Sequence, residues 1–187
     1  RAIEADNNGE NPYSYVAQRD TSGHGTLLAS ISAGSYTDGY VGVAPGAELL
    51  VVKLKQSKQY LRDFFLIKDD VPAFEESDIM LALRFIEDYA IRLGKPLIII
   101  FGLGSANGSR TGASPLAEMM ENLTKKPNIS VITCMGNEAN NKCHYKGTVM
   151  SALVPDVMEI NVDGTGKGFT MEIWADSLDI LSVSIES

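Results

Sequence analysis

The sequence predicts an α/β fold: a doubly wound parallel sheet with helices on both faces, incomplete in these 187 residues and followed by the start of an antiparallel β insertion. Three observations carry this expectation. The apolar runs in KPLIIIFGLG (95–104) and NISVITCMGNE (128–138) are bounded by Pro, Gly and Asn, as central parallel strands are. Stretches with helical spacing of apolar residues precede and separate them. After about Asp163 the texture changes to period-two alternation, with Phe169, Met171 and Ile173 on one face. The expected domains are therefore an α/β portion over 1–163 and the opening of a β domain over 164–187.

Taken in order, residues 1–23 are polar, and NNGENPYS marks loop or turn. TLLASISA (26–33) is small and apolar and suits a short buried helix. GYVGVAPGA turns the chain into ELLVVKLK (48–55), which its β-branched content marks as a strand. Residues 56–76 are mixed and charged and read as an excursion with a short hairpin. Ser77 is placed as the N-cap of a long amphipathic helix. Its apolar face is Ile79, Met80, Leu83, Ile86, Ala90 and Leu93, and Gly94 closes it. Ser114-Pro115 opens a further helix to about Lys126. Ligand sites in such sheets lie at the carboxyl ends of strands, here Gly102-Leu103-Gly104 and Gly136-Asn137-Glu138.

The bulk numbers exclude several functions. A composition of 44% hydrophobic and 21% charged residues is that of a globular domain. A net charge of −8 argues against nucleic acid as a partner, because phosphate neutralisation needs a basic face. No apolar run approaches the roughly 20 residues that span a bilayer, so no membrane role is expected. The two cysteines, Cys134 in an apolar run and Cys143 in a polar loop, form neither a disulfide framework nor a metal cluster. Cys134 is expected to be buried. No metal and no cofactor is expected, and compartment stays open. The first residue is Arg1, which marks a processed or excised piece in this reading.

One of only two histidines, His24, stands between glycines in RDTSGHGTLLASISAGS, just where a helix begins. Two readings compete: a solvated turn histidine, or a general base held at a helix N-terminus, whose positive partial charge resists early protonation of the ring. His144, in NKCHYKG, reads as a loop histidine without a role.

SGHGTLLASISAG, YVGVAPGAELLVVKL and VITCMGNEANN together resemble, in order and spacing, three consecutive blocks of the subtilisin-like serine proteases, the subtilases. ESDIMLALRFI and GNEANNKCHYKGT are similar to a narrower group, the clostridial spore-germination subtilases, which carry a jelly-roll insertion before the catalytic serine. The resemblance implies a subtilisin-like sheet and peptide-bond hydrolysis by a Ser-His-Asp triad. His24 would be the base that takes the serine proton and returns it to the leaving amine. Asn137 would donate to the developing oxyanion, against the alternative of a left-handed turn residue after a strand. Gly102, Leu103 and Gly104 would pair with a protein or peptide substrate bound as an extended strand. The family usually has Ser-Leu-Gly there, so side-chain contacts at Gly102 are in question while backbone pairing is not. The protein's own pro-segment is a second candidate partner, and the implied setting is secreted or spore-associated.

Two triad pieces are not found. Asp20, four residues before His24 on the same turn, reads as a turn former and not as the triad aspartate. No Gly-Thr-Ser nucleophile signature occurs: Gly147-Thr148 is followed by Val149, and Ser105, Ser109 and Ser151 lack the context. The expectation is the central part of a serine endopeptidase, with Asp and Ser outside the chain, inactive as a fragment. The rivals are a pseudoprotease that uses the fold for binding, and an unrelated α/β ligand-binding domain.

Overall fold

The chain divides into two units, one ending at Lys55 and one starting at Gln56. The computed structural model describes residues 2–162, 164, 166 and 168–186.

In the first unit the polar N-terminal stretch is not all loop. It contains helix α1 (Ala2–Asn7) and a 3-10 turn at Pro12–Ser14 that packs on it. Six residues are too few to show a period, which is why α1 is invisible in the pattern. The turn is locally coded: Asn11 Oδ1 accepts from Tyr13 N at 3.0 Å, and Pro12 supplies the fixed φ of a first helical position. The Arg19 guanidinium lies 3.8 Å from the Tyr13 ring centroid, a cation–π contact that anchors the chain leading to residue 20.

Helix α2 (His24–Ala33) follows. Its last carbonyls would be orphans. They are satisfied by the segment after the next turn: Val43 N donates to Ile31 O at 2.9 Å and Ala44 N to Ser32 O at 2.8 Å. Gly42 makes this approach possible, since a Cβ there would lie 2.8 Å from Ser30 O and 2.9 Å from Ala33 C. The expected burial of α2 is not found: Ala33 is buried but Leu27 and Ile31 are exposed. Residues 2–55 contain no sheet that could cover them. For the same reason 48–55 forms no strand, because a strand exists in its ladder and none runs beside it in this unit. Val52 and Leu54 are still half-buried between exposed Val51, Lys53 and Lys55, so the period-two pattern survives without pairing.

The second unit opens with helix α3 (Gln59–Phe64), where a hairpin was expected. The excursion is closed by Ser57 N donating to Ala73 O at 2.8 Å. Its interior is clamped by buried Arg62, whose guanidinium donates to Lys68 O at 2.6 Å, Asp69 O at 3.1 Å and Val71 O at 2.7 Å. All three bonds come from one terminal nitrogen, Nη2, whose two N–H groups are shared among three loop carbonyls.

Helix α4 (Glu76–Leu93) starts slightly earlier than the Ser77 cap implies, with Glu75 as N-cap and Glu76 and Asp78 in the first turn, favourable to the helix dipole. Gly94 ends it at φ 63°, as expected. Strand β1 (Leu97–Phe101) pairs in parallel with β2 (Ile129–Thr133), Leu97 opposite Ile129 through Phe101 opposite Thr133. Helix α5 (Pro115–Thr124) connects them, with Ser114 Oγ accepting from Ala117 N at 3.2 Å. α5 packs against β2 and α4 against α5. The core is Ile79, Leu83 and Ala90 of α4, Ile99 of β1 and Leu123 of α5.

The α/β class and the parallel pair joined by a helix match the expectation. Burial of β1 on both faces does not: Ile99 is 6% exposed, whereas Ile98 is 65% and Ile100 48%. Among the described residues from 164 onward no strand forms, and Phe169 and Ile173 are exposed. The expected antiparallel strands are therefore not seen in the described residues; Asp163, Thr165 and Lys167 lie outside them.

Candidate functional site

His24 is the first residue of α2, and it is exposed. Its N-cap, Gly23, sits at φ 79° in the left-handed region and offers no side-chain cap. Asp20 takes over that role from three residues upstream. Its Oδ1 accepts from Ser22 N at 3.0 Å, Gly23 N at 2.9 Å and Ser22 Oγ at 3.2 Å. Its Oδ2 accepts from Thr26 N at 2.9 Å and Thr26 Oγ1 at 2.8 Å. These bonds, the Thr26 amide first, hold the Asp20 carboxyl well below the usual carboxylate range. The sequence reading as a turn former is correct but incomplete. The missed signal is an aspartate placed to cap a helix whose own N-cap is glycine.

The other candidate residues lie in the second unit. Gly102 to Gly104 continue directly from β1, with Gly102 and Leu103 half-buried and Gly104 exposed. Asn137 follows β2 by four residues in an exposed loop, after Gly136 at φ 79°. Because β1 and β2 are parallel and in register, both loops emerge from the same, carboxyl-terminal end of the pair. The structure brings these two candidates to one edge; His24 belongs to the first unit. His144 lies in an exposed loop, and Cys134 is exposed, because it stands beyond the last paired residue of β2.

A second feature escaped sequence reasoning. Glu172 Oε2 accepts from Gly108 N at 2.9 Å and from Trp174 Nε1 at 3.1 Å, tying the C-terminal segment to the loop after β1. The Gly108 amide, the Trp174 indole and the Arg110 charge keep this carboxyl below its ordinary value. No local pattern announces a contact across this separation. Among the described residues no group of three or more His, Cys, Asp or Glu is placed to hold a metal ion. No helix of the described residues is long and apolar enough to cross a membrane.

The parallel pair carries Gly102–Gly104 and the Asn137 loop at its carboxyl-terminal end, the end at which ligand sites of α/β sheets lie. The subtilase family model (peptidase S8) matches residues 2–163, and the chain belongs to that family. Among solved structures it is similar to the CspB protease of Clostridium perfringens, with 28% identity and a TM-score of 0.60. The similarity covers 70% of this chain and 26% of that one, so the chain spans about a quarter of the protease's length. No curated protein matches the chain.

Proposed function

We propose that this chain is the central part of a subtilisin-like serine endopeptidase, with residues 1–163 in the catalytic domain and 164–187 opening an inserted β domain. The triad serine and aspartate are supplied by sequence outside these residues. The register of β1 and β2 carries the reading, because it puts Gly102–Gly104 and the Asn137 loop at one end of the sheet. A peptide laid along Gly102–Gly104 adds as an extended strand through main-chain hydrogen bonds. Its scissile carbonyl then needs a donor aimed at the oxygen that becomes negative, and the Asn137 amide is of the right kind. His24 accepts the serine proton as the tetrahedral intermediate forms and passes it to the leaving amine as that intermediate collapses. The protease neighbour and the family membership support the same chemistry.

The test is kinetic, in the full-length protein. His24→Ala abolishes turnover of peptide substrates while the fold is retained. Asn137→Ala lowers kcat by about 10²–10³ with KM little changed, the size of the loss when subtilisin is deprived of one oxyanion-hole donor. A loss confined to KM would make Asn137 a ground-state contact. A full-length protein that binds peptide but turns none over would instead be a pseudoprotease.

A further inference from the structure

We infer that Asp20 is a positioning residue for His24: one carboxylate brackets the histidine, holding the turn before it and the helix after it in fixed relation. The inference rests on the reading of His24 as the general base.

The local sequence explains the need. His24 stands between Gly23 and Gly25, and glycine leaves the backbone its greatest conformational freedom. A base must hold its ring within a fraction of an ångström of the productive geometry, yet Gly-His-Gly is poorly suited to holding any side chain still. Gly23 is moreover left-handed and offers the helix no cap of its own. Asp20 compensates from outside the tripeptide. Its Oδ1 binds the amides of Ser22 and Gly23 on one side of His24, at 3.0 and 2.9 Å. Its Oδ2 binds the amide and hydroxyl of Thr26 on the other, at 2.9 and 2.8 Å. The backbone torsions of His24 and Gly25 are thus enclosed between two anchors on one rigid group. The negative charge also sits at the N-terminus of α2, where the helix dipole favours it. Asp20 acts through the main chain of the residues around His24 and needs no contact with substrate.

Replacement separates the two halves of the bracket. Asp20→Asn keeps a single acceptor oxygen and can hold only one side; Asp20→Ala holds neither. In the full-length protein, at a temperature where melting curves show each variant folded, kcat per titrated active site should fall about 10-fold for Asn and about 10²-fold for Ala, on the scale of a displaced catalytic group. KM should stay within about twofold, since the substrate strand is untouched. Hydrogen exchange at the Thr26 amide should accelerate in the same order, which gives a readout independent of turnover. If Asp20→Ala fails to fold, Asp20→Asn alone carries the comparison. An unchanged kcat per active site, with only a lower Tm or a smaller active fraction, would overturn the inference by showing that Asp20 merely stabilises the fold. If His24→Ala silences the enzyme while both Asp20 variants keep kcat, the positioning role alone is wrong. If wild type shows no turnover, or His24→Ala retains it, the general-base reading and this inference fall together.

Discussion

Asp20 accepts hydrogen bonds from three backbone amides and two hydroxyls, and each favours its ionised form. The folded pKa is lowered, so its contribution to stability is fully present above the unfolded value, about 3.9, and is lost as pH falls through the lower folded value. The difference in Tm between wild type and Asp20→Asn should therefore be constant above about pH 5 and shrink below about pH 4. Thermal melts across that range check it, and a difference that widens on acidification would contradict the sign. His24 and Asn137 stand out in the sequence because a rare residue type occurs in a distinctive block. Asp20 does not, because its importance lies in acceptor geometry and not in its neighbours' identities. Glu172 is harder still, since its partner Gly108 is far away along the chain.

At the scale of elements, α4, β1, α5 and β2 were legible because their signals are local: a helical apolar face, a Ser-Pro start, a Gly stop and short apolar runs. The segments at 48–55 and 169–173 carry equally clear alternation and form no strand, because strand identity belongs to the pair and not to the segment. The block YVGVAPGA reads as a turn, but its structural work is to close the end of α2. Gly42→Ala would push a Cβ into the backbone of Ser30 and Ala33, at a cost of about 1–3 kcal/mol or more. Hydrogen exchange of the α2 amides should accelerate accordingly, by about 10-fold for each 1.4 kcal/mol. In the second unit, adjacent lysines should behave unequally. Lys125 pairs with Glu121 at 2.8 Å on an exposed helix face, where water and salt screen the contact. Lys126 pairs with Glu87, whose side chain is only 7% exposed. Lys126→Ala leaves that carboxylate buried without this partner and should cost about 1–3 kcal/mol in urea denaturation, whereas Lys125→Ala should leave the denaturation midpoint nearly unchanged. Equal effects would mean that water reaches Glu87.

Across the whole molecule, the α/β class is set by patterning that 187 residues suffice to display, whereas the catalytic constellation of a subtilase is assembled from segments widely spaced along the chain. That distribution leads to the last prediction: this polypeptide by itself should show no serine-protease activity. No serine in it stands in a Gly-Thr-Ser context, and no aspartate suited to the triad is apparent, since Asp20 is committed to the backbone and hydroxyls of Ser22, Gly23 and Thr26. An intact enzyme stripped of its triad keeps about 10³–10⁴ of acceleration from its oxyanion hole and substrate binding. That residue of activity requires a cleft whose walls are covered and rigid. Here Ile98 and Ile100 of β1 are largely exposed, and among the described residues the sheet beside Gly102–Gly104 has two strands. A peptide laid along that edge would meet a solvent-exposed platform, and an oxyanion donor in water is worth little. Incubation with an unfolded protein substrate should give no cleavage, and a fluorophosphonate probe should label no serine. Labelling of one serine, abolished by His24→Ala, would place the nucleophile inside these residues and require the triad to be sought among Ser105, Ser109 and Ser151.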